Sequence, residues 1–155
     1  MTNVVCVNGV LYAANSVNYD WGQGPVAAAR VYIISNTGEV LQEITYGSGQ
    51  SFYYYPVVMV DSQNNVVMAF NRSSANTFAG IFFTERKADD PPGFLQATTR
   101  IKSGASYYDD PNGNGVDLWG DFNGIALDSD DSIWIFSMFA KTLHQWGTKG
   151  ARFHF

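Results

Sequence analysis

The loop Asp110-Pro-Asn112-Gly-Asn114-Gly115-Val-Asp-Leu-Trp-Gly-Asp121 carries the sharpest chemical pattern in the chain. Oxygen-bearing side chains stand at its first, third, fifth and twelfth positions, and glycine at the sixth. That is the spacing of a calcium loop, in which the glycine permits a sharp turn and the side chains converge on a hard cation. Asp110, Asn112, Asn114 and Asp121 are therefore candidate calcium ligands. The last position is Asp where a longer, bidentate Glu is usual, and no helical pattern flanks the loop. The same stretch also reads as a plain Gly/Asn-rich turn. Asp109, Asp110, Asp117 and Asp121 lie close in sequence to Tyr107 and Tyr108, and paired carboxylates are what glycoside hydrolysis needs. Tyr53, Tyr54, Tyr55 and Trp119 offer flat amphipathic rings that stack on sugars or pack between sheets. His144 and His154 lack metal-ligand spacing, and there is neither a Gly-x-Ser-x-Gly nucleophile motif nor a phosphate-cradling glycine loop. No residue is assigned a catalytic role, and no cofactor beyond the candidate calcium is expected.

The elements that must position these residues are strands. At 155 residues the chain has one domain's worth of material, 46% hydrophobic and 15% charged, which suits a globular core. Aromatic residues make up 15%, and with 15 glycines they suit many short strands joined by turns. A net charge of −5 argues against nucleic acid or anionic membrane as a partner. No segment reaches the ~18 apolar residues of a membrane span, and no basic-plus-apolar leader is visible, so the chain reads as soluble with no compartment indicated. Cys6 is the only cysteine, which excludes an intramolecular disulfide. Its place within Val4-Val-Cys-Val predicts a core thiol.

A strand–turn–strand unit occurs three times. The clearest copies are Pro56-Val-Val-Met-Val-Asp61-Ser-Gln-Asn-Asn-Val-Val-Met-Ala-Phe70 and Asn123-Gly-Ile-Ala-Leu-Asp128-Ser-Asp-Asp-Ser-Ile-Trp-Ile-Phe-Ser137. Val4-Val-Cys-Val-Asn8-Gly-Val-Leu-Tyr-Ala-Ala-Asn15 is a weaker one. Asn8-Gly9 is a strong hairpin signal, because a type I′ turn wants positive φ at both positions. The central turns are 53 and 67 residues apart, the longer interval holding the loop 103–119. Alternating runs and turn residues predict strands at 3–8, 10–16, 27–35, 39–46, 55–61, 65–72, 78–86, 95–102, 122–128, 132–139 and 146–154. Four strands in about 50 residues is the size of one β-propeller blade. The expectation is an all-β half-propeller of about three four-stranded antiparallel blades, approximately 1–50, 51–104 and 105–155, the last lacking its outer strand. Inner strands should be covered on both faces, as 57–60 and 124–127 suggest. A β-sandwich is the competing fold.

Tyr55-Pro-Val-Val-Met-Val-Asp-Ser-Gln-Asn-Asn-Val-Val-Met-Ala-Phe-Asn-Arg-Ser-Ser74, Glu85-Arg-Lys-Ala-Asp-Asp-Pro-Pro-Gly93, Leu118-Trp-Gly-Asp-Phe-Asn-Gly-Ile-Ala-Leu-Asp128 and Gln145-Trp-Gly-Thr-Lys-Gly-Ala-Arg-Phe-His-Phe155 are similar to the C-terminal part of bacterial sialidase-like (BNR/Asp-box-related) β-propeller proteins. The resemblance spans roughly 10–155 and implies the propeller fold more strongly than any activity. The family's Ser-x-Asp-x-Gly-x-Thr-Trp box is absent, and Asp128-Ser-Asp-Asp-Ser-Ile-Trp134 is a degenerate relative of it. Sialidase chemistry implies three arginines clamping a carboxylate. Of Arg30, Arg72, Arg86, Arg100 and Arg152, only Arg72 follows an inner strand closely enough to reach a central pocket; Arg86 and Arg100 are expected on the surface.

Three blades cannot close a ring, and an open end exposes an apolar sheet face on the order of several hundred Å². The simplest expectation is a homodimer closing a six-bladed ring; a separate partner or missing half is the alternative. The function this implies is a non-catalytic binding or scaffold module with a small glycan as candidate ligand, held by Tyr55, Arg72, Trp119 and Asp121. The alternative is a degenerate sialidase-like glycoside hydrolase or a subunit of one.

Overall fold

A computed structural model of the chain describes residues 2–109, 119 and 122–155. These residues form three antiparallel sheets and no helix. The first sheet takes β1 (Asn3–Val7), β2 (Val10–Asp20), β3 (Pro25–Ile34) and β4 (Val40–Tyr46) in chain order. The second takes β5 (Phe52–Val60), β6 (Val66–Ser74), β7 (Thr77–Arg86) and β8 (Thr99–Lys102), and the third β9 (Gly124–Leu127), β10 (Ile133–Thr142) and β11 (Gln145–Phe153). Each sheet is a meander built like a propeller blade, and the ring is not closed.

The period of two decides how the blades stack. In β6, Val66, Met68 and Phe70 point toward the first sheet and join Tyr12, Ala14, Ala29, Val31, Ile33 and Ile44 in one core. Val67 and Ala69 point the other way and meet Ile133 and Ile135 in a second core with Val57 and Phe83. The middle sheet is thus a shared wall, and 66–70 are all buried. Burying each of the large side chains stabilises the fold by about 1.5–3 kcal/mol.

The terminal sheets have one packed face each. In β10, Ile133 and Ile135 are buried, while Phe136 is 52% exposed. The expected two-sided covering of 124–127 does not occur: Gly124 and Ala126 are exposed on the outward face, which no described sheet covers, and Leu127 is exposed at the edge of the sheet. Cys6 is likewise exposed and not in the core. Alternation sends Val5 and Val7 inward to the first core and leaves Cys6 with Val4 on the outer face. The strand expected at 95–102 is only Thr99–Lys102. The segment before it is held by side chains, since the Gln96 carbonyl accepts from the Tyr46 hydroxyl at 3.0 Å and from Thr84 Oγ1 at 2.6 Å.

Candidate functional site

The repeated turns meet at one end of the stack. Asn8, Asn64 and Asp131 all adopt left-handed φ, of 51°, 67° and 65°. These are residue types that tolerate that region through their short polar side chains. Asn8 Nδ2 donates to Asn64 Oδ1 at 3.0 Å, joining the first and second turns. The Ser62 amide and hydroxyl both donate to the Asp131 carboxylate, joining the second and third. Within the second turn, buried Asp61 accepts from the amides of Gln63 and Asn65 and from Asn65 Nδ2. The third turn repeats the backbone closure, with Asp128 N donating to Ser132 O as Asp61 N does to Asn65 O. Here, however, the Asp128 carboxylate takes the Trp134 indole N–H at 3.1 Å. That bond and the Ser129 amide lower the Asp128 pKa.

At the other end of β5 the strand breaks its ladder. The register shifts between Tyr54 and Val57, and Tyr55 lies at φ 52°. Pro56 supplies the reason: it has no amide proton, so the ladder loses a bond and a bulge forms. The bulge is fastened from both sides. The Tyr55 amide donates to Ser16 Oγ of the first sheet, and its carbonyl accepts from Asn123 Nδ2 beside the third. Asn123 Oδ1 in turn accepts from Ser137 Oγ. Buried Asn71 donates to Ser137 Oγ and to the carbonyls of Gly80 and Met138. One buried polar network therefore locks the second and third sheets in register.

Beside this bulge a cleft of about 330 Å³ opens among Tyr54, Ser73, Ser74, Thr77, Phe78, Tyr107, Tyr108 and Trp119. Burial raises the Tyr54 pKa, a hydrogen bond with the Ser73 side chain opposing the shift. Tyr108 and Trp119 meet edge to face, 5.5 Å between ring centres. The tyrosine segment is strapped in place: Ala105 N donates to Ala140 O and Asp109 N to Leu143 O, each at 2.8 Å. The chain leading into it, Lys102 and Gly104, lies close against Gly80 of β7, where an added Cβ would lie 2.6 Å from the Lys102 carbonyl oxygen.

The structure gathers few of the sequence-predicted residues. Trp119 lines the cleft, but its aromatic partner from β5 is Tyr54 and not Tyr55. Arg72 does not reach toward a pocket: its guanidinium lies between the rings of Tyr53 and Phe82, at 5.5 and 5.3 Å. Arg86, expected on the surface, is buried and donates to the Asp90 carbonyl. Arg30 pairs with Glu43 on the first sheet, and Arg152 with Asp130 on the third. Arg30, Arg72, Arg86 and Arg152 are therefore each engaged locally. Asp110, Asn112, Asn114, Asp117 and Asp121 lie outside the described residues. Among the described residues, no three His, Cys, Asp or Glu side chains are grouped to hold a metal ion. Tyr54 was among the rings noted in the sequence but Tyr55 was preferred to it, and Ser73, Ser74 and Thr77 were missed; the one signal available was Pro56 within a strand run, which marks a bulge and so a change of facing. Comparison of the chain with protein-family models, curated proteins and solved structures finds no match.

Proposed function

We propose that the chain is a non-catalytic binding or scaffold module: a sialidase-like half-propeller that completes its ring with a second copy and offers a site for a small glycan. The observation that carries this reading is the outward face of the third sheet. Phe122 is 77% exposed, Trp146 54% and Phe136 52%. With Met138 and Thr148 they border a shallow groove of about 270 Å³. Phe136 lies across Gly150, whose added Cβ would come within 2.7 Å of the ring, so a flat aromatic surface is presented. Such a face resembles the middle sheet before its neighbour is added.

A second copy is the occupant because each chain has two open sheet faces, at opposite ends of the stack. The first sheet's outer face carries exposed Val4 with half-exposed Leu11, Tyr32 and Ile34. Two copies related by a twofold axis would cover both faces of each, by two equivalent contacts. The separate engagement of Arg30, Arg72, Arg86 and Arg152 supports binding over sialidase-type hydrolysis.

Cys6, on the first sheet's outer face, provides the test. Its rate of modification by a bulky thiol reagent falls as protein concentration rises, if that face is covered by self-association. A rate independent of concentration over the micromolar to millimolar range contradicts the reading. A glycan array run beside a fluorogenic glycosidase screen tests the other half, with binding and no turnover expected.

A further inference from the structure

We infer that the cleft bounded by Tyr54, Thr77, Tyr107, Tyr108 and Trp119 is a binding site for a neutral saccharide. The inference deepens the binding-module reading and rests on it, but not on ring closure, since every residue of the cleft belongs to one chain. Three observations carry it. First, the lining combines aromatic rings with the hydroxyls of Ser73, Ser74, Thr77 and the tyrosines, and among the described residues no lining side chain is charged. A sugar ring presents C–H faces to aromatic surfaces and hydroxyls at its rim, so both halves of the lining find a partner. An anionic sugar or a phosphate would find no cation among the described lining residues. Second, the volume of about 330 Å³ lies at the small end of the ~300–1,000 Å³ range of small-ligand sites, enough for a short oligosaccharide end.

Third, the cleft is built and not merely left over. Its tyrosine wall is hydrogen-bonded to the third sheet through Ala105 and Asp109. The same strand bulge that strains Tyr55 sets the facing of Tyr54, which lines the cleft. Left-handed φ at a bulky, β-prone residue is costly and persists only where the surroundings hold it, and it concentrates at binding sites. The site stands at the opposite end of β5 and β6 from the row of tight turns.

The test uses the full chain, labelled with nitrogen-15, and follows the indole resonances of Trp21, Trp119, Trp134 and Trp146. The probes are cellobiose, maltose and lactose, with N-acetylneuraminate as the charged comparator. The expected result is a saturable shift of the Trp119 resonance with at least one neutral disaccharide. Thr77→Trp, at the rim of the cleft, is expected to abolish the shift, and Tyr54→Phe to weaken binding by about twofold to tenfold. The proposal is overturned if no neutral disaccharide moves Trp119, if only N-acetylneuraminate does, if Trp134 or Trp146 respond instead, or if the shift survives Thr77→Trp unchanged. Failure of the oligomeric reading would show instead in the Cys6 modification rate.

Discussion

The second and third sheets share a repeat and differ in fate. Val66-Val-Met-Ala-Phe70 and Ile133-Trp-Ile-Phe136 occupy the same place after the same kind of turn. The first is buried throughout, because one sheet packs on each of its faces. The second is buried only at Ile133 and Ile135, because it has one neighbour. A near-continuous apolar strand is therefore a statement about how many sheets must flank it. Where the chain supplies one flanking sheet, the unused half appears as half-buried Trp134 and exposed Phe136, stacked with ring centres 6.0 Å apart.

The comparison is broken most directly by truncation. Phe70→Ala removes a ring that is fully buried between two sheets, and about 3–5 kcal/mol of unfolding free energy is expected to be lost. Phe136→Ala, at low protein concentration, is expected to cost about 1 kcal/mol or less, since half of that ring is already in water. Urea unfolding of the two variants separates these outcomes, and equal losses would show that the third sheet is packed on both faces. The network between the sheets gives the next effect. Asn71→Leu strands the Gly80 and Met138 carbonyls in a buried site, at an expected cost of about 1–3 kcal/mol. The same change should loosen the third sheet selectively, with faster amide exchange in β9 and β10 than in β2 and β3. Gly80→Ala, placing a methyl against backbone at β8, is expected to cost about 1–3 kcal/mol and to move the Trp119 resonance by shifting the tyrosine strap.

The smallest effect comes from the third turn. The Ser132 hydroxyl, and after it the Arg152 guanidinium, hold Asp130 at a pKa of about 2, below the usual ~3.9 of an aspartate. A depressed native pKa contributes stability that is complete above about pH 4 and is lost as pH falls toward 2. Because Asp130 and Arg152 are both exposed, the contribution is small. Asp130→Asn should flatten the acid limb of the stability curve in that window and leave neutral pH nearly unchanged. A full acid limb in the variant would assign it to other carboxylates.

Much of the fold was legible because it rests on local rules. The period of two and the turn residues Asn8-Gly9, Asp61 to Asn65 and Asp128 to Asp131 place eleven strands within a few residues of where they stand. What was not legible depends on neighbours. Cys6 sits in an apolar run, yet its facing is set by which side of the first sheet meets the second. Arg72 looks available after an inner strand, and only the packing of Tyr53 and Phe82 around it reveals a structural cation. Of the candidate site, Trp119 was readable as a ring that could stack on a sugar, whereas Tyr55 was preferred to Tyr54 because the bulge at Pro56, which reverses the facing of the tyrosine run, shows only in the fold.

The central claim is that the third sheet's aromatic face is an interface with a second copy. Sedimentation equilibrium of the wild-type chain and of a Phe136→Glu, Trp146→Glu double variant tests it. The account predicts a wild-type mass about twice 17.1 kDa, falling to 17.1 kDa in the folded variant. A wild-type chain that stays at 17.1 kDa at every concentration, with its aromatic face in water, would contradict it.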